Sequence, residues 1–416
     1  MSKIENIKLD NGLNIYLYND KRRHSTFFQF TTKCGGTNKD FIMDGKEYHL
    51  YDGVAHILEH YIVECNKIGN FLDMLGEKQM TTNASTSSIV TSYYFEAVEN
   101  VSYGVKTILE GVNSIIFDDK KLQKLKNPIY QEIRGKMDNK FYHLNRLRMK
   151  NLFSNIKYRD VGGLVEEVEK TTIDDLKALY EAFYQPSNQI IFIAGNFDKE
   201  EIINVIKEFY DNHKFKKHEV KLIEYNEPLK VNKKEDTLIF PTPLDYESIT
   251  FKIDISDYSP EERLDLDFYL NCFYVLFFGV ASPLYKKLVD DEVISEGINC
   301  GDTKIGNFML LTIGAYTKDV KRFRESVFNK IKSLDDFNNE KFELKKKYAI
   351  TRLILRDENI FSMIFPFINN VIDFDYPYVD KVEDIEKTNI DSFEKAIKKL
   401  NFSNYTITII KEKVDA

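Results

Sequence analysis

The apolar and polar positions of the chain fall into short alternating runs interleaved with longer stretches of helical period. "KIENIKLDNGLNIYLYND" alternates on either side of Asn11-Gly12, the pattern of a hairpin turning at that pair. "STFFQFTTKCGG" predicts a strand ended by paired glycines. "TSSIVTSYYFEAV", rich in β-branched and aromatic residues, predicts another. Between them, residues 52–66 predict a helix with Asp52 as its N-cap. A helical stretch follows from about Asp118 to Phe153, broken or kinked at Pro128. Thr172 and Asp175 make a capping box that opens the helix "IDDLKALYEAFY", and Pro186 closes it. "QIIFIAGNF" is then a buried strand and "DKEEIINVIKEFYDN" a helix.

From Lys214 to Lys234 the chain turns polar and loses its periodicity, which predicts a linker. A second block repeats the rhythm of the first. "ESITFKIDISD" is a strand, "PEERLDLDFYLNCFYVLFF" a helix, "NFMLLTIGAYT" a strand, "KDVKRFRESVFNKIKSL" a helix and "NYTITIIKE" a last strand. The expected organisation is an α+β domain over 1–213, a linker over 214–234 and a second α+β domain over 235–416. Antiparallel sheet is expected in each. The two halves share an order of elements rather than a sequence repeat.

Composition narrows the class. The 416 residues are 43% hydrophobic and 30% charged, enough to bury a core in each half and incompatible with a disordered or collagen-like chain. A net charge of −8 with both signs mixed gives no basic patch for nucleic acid. The four cysteines, Cys34, Cys65, Cys272 and Cys300, are scattered and predict reduced thiols and a cytoplasmic setting. No leader pattern is read at the N-terminus. The most apolar run, "FYLNCFYVLFFGVA", is interrupted by Asn271 and falls short of the roughly 18 residues of a membrane span, so it reads as a core helix.

Candidate chemistry enters at "VAHILEHYIVE". Residues four apart on a helix face the same way, so His56 and His60 point together, with Glu59 beside them. Two imidazoles at that spacing can grip one Zn²⁺ at ~2.0–2.1 Å. A carboxylate next to the ion can take the proton of a water whose pKa the metal lowers to about 7, leaving it to attack a carbonyl carbon. A polar helical stripe is more commonly a solvated face, but such faces in this chain are rich in lysine and this segment has none. A catalytic zinc takes three protein ligands and a water. Glu64 lies eight residues from His56, about 12 Å along a helix at 1.5 Å per residue, so it reads as a supporting group or a surface charge. The third ligand is expected from another helix, where "NPIYQEIRGKMDN" offers Glu132 among apolar neighbours.

These segments resemble the pitrilysin-type inverzincin peptidases, the family of insulin-degrading enzyme and mitochondrial processing peptidase, and in length its short bacterial members. "GVAHILEHYIVE" is similar to the family's zinc helix, "IYQEIRGKMDN" to the segment carrying the third ligand, and "NASTSSIVTSYYF" to its Asn-Ala-x-Thr edge strand. "VEKTTIDDLKALYEAFYQPSNQIIFIAGNFD" resembles the end of the first domain and "GVASPLYKKLVDDEVIS" a helix opening of the second. The resemblance implies His56, His60 and Glu132 as zinc ligands and Glu59 as general base. It implies a peptide held as an added strand beside Asn83, Ala84 and Thr86, and two homologous α+β domains with helices on one side of each sheet. Two positions depart from the family. Leu125 stands where a second glutamate is usual, seven residues before Glu132. In the second domain, Pro283 and Glu296 fall at or near the places of an Arg and a Tyr that hold the substrate carbonyl.

The expected function is that of a zinc endopeptidase acting on unfolded or short precursor peptides, as the metal-bearing chain of a heterodimer whose partner supplies the Arg and Tyr, or as a homodimer. The alternative is a non-catalytic chamber or scaffold subunit. A carrier with a structural zinc fits less well, since such sites close with four protein ligands, often cysteine, and no cysteine has that spacing.

Overall fold

The computed structural model describes residues 4–156, 160–334, 338–374 and 382–412. In chain order the elements are β1 (Glu5–Lys8), β2 (Asn14–Asn19), β3 (Thr26–Thr32), β4 (Asp40–Met43), β5 (Lys46–His49), α1 (Val54–Glu64), α2 (Phe71–Glu77), β6 (Thr81–Thr86), β7 (Thr91–Ala97), α3 (Val101–Asn113), α4 (Asp119–Met137), α5 (Lys140–Leu152), α6 (Val165–Lys170), α7 (Ile173–Phe183), β8 (Gln189–Gly195), α8 (Lys199–Asn212) and β9 (Val220–Leu222). There follow β10 (Glu235–Ile239), β11 (Asp245–Asp254), α9 (Pro260–Phe277), α10 (Pro283–Asp290), β12 (Asn299–Ile305), β13 (Phe308–Thr317), α11 (Val320–Lys332), α12 (Asn339–Glu358), α13 (Ile360–Phe374), α14 (Val382–Lys387), α15 (Ile390–Lys399) and β14 (Tyr405–Lys411). Two compact units result. The first comprises 1–136, 159–224 and 360–365, the second 137–158, 225–359 and 366–416. The helix α5 therefore groups with the second unit, although it lies within the span expected for the first domain.

The first unit is built on a six-stranded sheet in the order β1-β2-β8-β3-β7-β6, antiparallel except where β2 and β8 run parallel. The central strands β3 and β8 are buried along their whole length, as their unbroken apolar and threonine-rich sequences require. A smaller sheet, β5-β4-β9, stands apart. Its β4–β5 hairpin turns at Asp44-Gly45, a strong hairpin dipeptide that the sequence reading passed over. Its β9 lies inside the stretch expected to be linker, because Leu222 and Val220 pair with Phe41 and Met43.

Three local expectations are corrected. The N-cap of α1 is Gly53, in the left-handed region, and Asp52 instead pairs with Lys39. "TSSIVTSYYFEAV" is not one strand: residues 87–90 turn between β6 and β7, with the Ser87 N–H donating to Val90 O at 2.8 Å. The long helical stretch is not broken at Pro128, which sits on the exposed face of α4. It ends beyond Met137, and Asn139 caps α5 through the Phe141 N–H.

The second unit has a five-stranded sheet in the order β10-β14-β11-β13-β12, again with one parallel pair, β10–β14. Position by position this is β2-β8-β3-β7-β6. The β4–β5 hairpin aside, the described elements also correspond in chain order after β3 and after β11: two helices, a strand pair, five helices and a returning strand. Its core gathers Ile249, Phe251, Leu270, Phe273, Phe323 and Ile397 from sheet and helices. One buried ion pair ties α5 to this sheet. Lys252 and Glu227 are almost wholly excluded from water, 3.0 Å apart. Glu227 also accepts the backbone N–H groups of Ser154, Asn155 and Ile156 at 2.8–2.9 Å. Lys252 donates to Leu152 O and Pro228 O and lies over the rings of Phe153 and Phe308.

Removing one partner of such a pair leaves the other charge buried and uncompensated. Glu227→Ala is therefore expected to destabilise the second unit by about 3–5 kcal/mol, read as an earlier urea transition. Glu227→Gln, which keeps an acceptor oxygen for two of the three N–H groups, should cost less.

Candidate metal and peptide site

The site lies wholly in the first unit. Helix α1 is mostly buried, and His56, Glu59 and His60 are the polar groups on its inner turns. Its start is set by close backbone contact. Gly53 has φ +86°, and Gly163 in the facing loop has φ +71°. A Cβ on Gly163 would lie 2.5 Å from Asp52 O, and one on Gly53 would lie 2.7 Å from Gly162 O. Only glycine allows both the angle and the approach. The far end of α1 is tied to the segment that leads into α4. The buried Tyr61 hydroxyl sits 2.9 Å from Ile116 O and accepts the Asp118 N–H at 2.7 Å. The Ile116 N–H donates to Cys65 O at 2.8 Å. On its other side, α4 is held by Lys126, whose buried ammonium donates to Glu169 O and Thr171 O at 2.8 Å.

These anchors bring Glu132 of α4 over the paired histidines. The two Nε2 atoms are 3.2 Å apart. Glu132 Oε2 lies 3.4 Å from that of His56, and Oε1 3.6 Å from that of His60. Three ligands at ~2.0–2.1 Å from one tetrahedral centre sit about 3.4 Å from each other. The three side chains fit one zinc ion, and two imidazoles with one carboxylate are a catalytic rather than a structural donor set. Burial, the neighbouring His60 and the charge of Lys136 push His56 down to about 3, and burial also lowers His60 against the opposing charge of Glu132. Both rings are therefore neutral at physiological pH, the form in which imidazole binds a metal.

Glu59 is buried beside the ligands. Loss of water pushes its carboxyl up to about 7, with the charge of Glu132 adding to the rise and a hydrogen bond from Thr86 opposing it. That bond, Thr86 Oγ1 to Glu59 Oε2, is 2.5 Å. The Thr86 side chain is thus engaged by Glu59. Asn83 and Ala84 lie beside it on β6, the sheet edge, with Asn83 exposed and Ala84 half-buried. On its inner side β6 pairs with β7, and among the described residues no strand pairs with its outer side. Asn83 Oδ1 accepts the Ala84 N–H, and its side chain also bonds that of Tyr94. Glu64 points elsewhere and accepts from Asn70 Nδ2 at 2.9 Å. Leu125, two turns before Glu132 on α4, is half-buried. Sequence reasoning missed Tyr61, Lys126 and the Gly162-Gly163 loop. The paired glycines and a lysine among apolar helix positions were the available signals.

The sequence pattern of the family described as the Peptidase M16 inactive domain matches residues 170–348. An uncharacterised zinc protease of Bacillus subtilis, YmfH, is 29% identical over 357 residues, covering 82% of this chain and 81% of that protein. A putative M16-like peptidase from Alicyclobacillus acidocaldarius has the same fold, with a TM-score of 0.88 at 21% identity over 99% of this chain and 98% of that one. Over most of its length the chain is similar to M16, pitrilysin-type proteins. The periplasmic protease PqqL of Escherichia coli also superposes, with a TM-score of 0.77 at 16% identity over 99% of this chain, but over only 48% of its own. The chain thus spans about half the length of that protein. The family pattern starts beyond α1, β6 and α4, so it covers none of the candidate ligands.

The glycine contact at the start of α1 is testable. Gly163→Ala is expected to cost about 1–3 kcal/mol through strain at a positive φ, seen as a lowered melting temperature. Gly135→Ala, inside α4 with open space around its Cβ position, should be neutral or stabilising by up to about 1 kcal/mol.

Proposed function

We propose that this chain is a zinc-dependent endopeptidase that hydrolyses unfolded or short precursor peptides, and that it is the metal-bearing member of a dimer. The convergence of His56, His60 and Glu132 on one point, with Glu59 next to it, carries the reading. Zinc held by those three side chains would polarise the scissile carbonyl and acidify a water. Glu59 takes the proton of that water and later gives it to the leaving amine, roles suited to a carboxyl whose affinity for protons is raised toward neutrality. The free side of β6 supports the substrate mode. A peptide laid antiparallel or parallel to Asn83 and Ala84 gains main-chain hydrogen bonds that are indifferent to its sequence. Such a site selects for chains able to extend, which means unfolded ones.

The partner follows from what is absent in the second unit. Pro283 is the first residue of α10, capped by Ser282, and Glu296 is exposed in the loop before β12. Neither can donate to an oxyanion as a guanidinium or a phenol would, an effect commonly worth a few kcal/mol. A second family chain supplying those donors would complete the site. PqqL, which is about twice as long, supports such a pairing of halves. The alternative, a non-catalytic scaffold subunit, is favoured by the same missing donors. The intact ligand set weighs against it, since a scaffold has no need of a buried glutamate beside two neutral histidines.

Zinc analysis and peptide-library digestion, on the chain alone and with its co-purified partner, distinguish the two. One zinc per chain is expected, lost in His60→Ala and weakened in Glu132→Ala. Glu59→Gln should keep the metal and lose at least about a hundredfold in kcat. A wild-type chain that holds zinc yet cleaves nothing with its partner present would establish the scaffold reading.

A further inference from the structure

Behind Glu59 lies a line of buried hydroxyls for which peptide hydrolysis, as described above, has no use. Thr86 Oγ1 donates to Glu59 Oε2 and lies 3.2 Å from Thr91 Oγ1. Thr91 Oγ1 donates to Cys34 O at 2.8 Å. The Tyr184 hydroxyl bonds the Thr91 side chain and sits 3.3 Å from the Tyr93 hydroxyl. Thr91, Tyr93 and Tyr184 are excluded from water, on β7 and just past the end of α7.

We propose that Thr86 and Thr91, backed by Tyr184, form a hydroxyl chain that positions the Glu59 carboxylate for proton transfer. The proposal rests on the peptidase reading and deepens it. A threonine hydroxyl has one proton to give and two lone pairs to receive with. The proton of Thr86 is committed to Glu59, because an ionised carboxylate only accepts. Glu59 Oε2 is thereby fixed as an acceptor, and Oε1 alone remains for water and for the peptide. Thr91 faces the lone pairs of Thr86 with a hydroxyl that can turn from Cys34 O toward it. A hydroxyl that receives a bond donates more strongly, so the chain reinforces the contact to Glu59. The Tyr184 hydroxyl adds a further polar contact to the Thr91 side chain, whose proton can go to Cys34 O or to Thr86 Oγ1. Phenylalanine at 93 and 184 would fill the same volume without burying phenols, whose hydroxyls require partners. Two phenols and two threonines aligned on a single ionisable group are accounted for by the demands of that group. Thr86, Thr91 and Tyr184 are positioning residues. None of them touches the three candidate ligands.

The test uses the full zinc-loaded chain, with its partner if turnover requires one, labelled with ¹³C at the glutamate carboxyls. The Glu59 resonance is assigned by its loss in Glu59→Gln. Thr86→Val removes the donor at nearly constant shape and should lower kcat by roughly 10- to 100-fold, with KM within about twofold and zinc still one per chain. Thr86→Ser, which restores the donor, should return to within about threefold of wild type. Thr91→Val and Tyr184→Phe should lower kcat by about 3- to 10-fold. All but the serine variant should move the Glu59 resonance. Unchanged kcat in Thr86→Val overturns the proposal, as does a fall in kcat with the resonance unmoved, a change confined to KM, or no rescue by serine. If the wild-type chain proves inactive with its partner present, the peptidase reading fails and the resonance alone decides. A shift in Thr86→Val and Tyr184→Phe then upholds the hydroxyl chain, and an unmoved signal overturns it.

Discussion

The site depends on two helices, α1 and α4, being held so that side chains 72 to 76 positions apart in sequence face one point. Neither helix could do this by its own propensity. Helix α1 carries two histidines and a glutamate among apolar residues, and α4 is a largely polar helix with a proline inside it. What fixes them is tertiary. The Tyr61 hydroxyl and the Cys65 carbonyl hold the turn before α4, Lys126 holds its middle, and the glycine contact sets where α1 begins. The first two are polar groups with their partners present, and the third is a steric fit, so all give direction as well as cohesion. A site whose ligand atoms must agree to within a few tenths of an ångström needs such directional constraints, because apolar packing alone leaves helices free to slide.

Electrostatically the first unit accepts a cost at this place. Glu59 is buried near another carboxylate, and both histidines are kept neutral by lost hydration. Without a cation these groups raise the energy of the folded chain. With one, the neutral imidazoles and the carboxylate are already in their ligating forms, and little rearrangement is required. The hydroxyls behind Glu59 belong to the same economy. They supply a hydrogen bond that an apolar core could not, and they do so without adding charge next to the ligands.

Much of this was legible in the sequence, for identifiable reasons. The spacing of His56 and His60 is a property of any helix, so their convergence needed only the assignment of a helix to residues 54–64. The capping box at Thr172 and Asp175 is a local hydrogen-bond pattern, and it was read correctly. Glu132 was not legible from spacing, because its approach to the histidines is made by Tyr61 and Lys126, contacts across 57 and 43 or more positions. The family likeness pointed to it instead. Asp52 was misread as a cap because a side-chain oxygen before a helix usually serves that purpose. Here Lys39 takes the aspartate, and the close glycine contact leaves Gly53 as the cap. Thr86 was read from the edge strand as a substrate contact, but its side chain is committed to Glu59. Periodicity places a residue on a face, and it does not say which neighbour its hydroxyl will choose.

The repeated order of elements shows why, among the described residues, only the first unit carries the candidate ligand cluster. The counterpart of α1 in the second unit is α9, whose buried face is Leu266, Tyr269, Leu270, Cys272, Phe273 and Phe277. Where α1 buries a carboxylate beside two half-buried imidazoles, α9 buries hydrocarbon, a thiol and aromatic rings, and its helix runs to 18 residues against 11. Its buried charges lie elsewhere, in Lys252 with Glu227 and in Glu247 with Arg324, each closed by a protein partner. The same architecture thus tolerates buried charge in two ways. In the second unit each of these charges faces an opposite charge within the protein, which ties α5 and β11 in place. In the first, the ligating groups are left incompletely matched and directed at one point, an arrangement that is stable only because the surrounding anchors over-determine it. Duplication of the fold separates these demands, allowing one copy to carry an unsatisfied site while the other is free to optimise its packing.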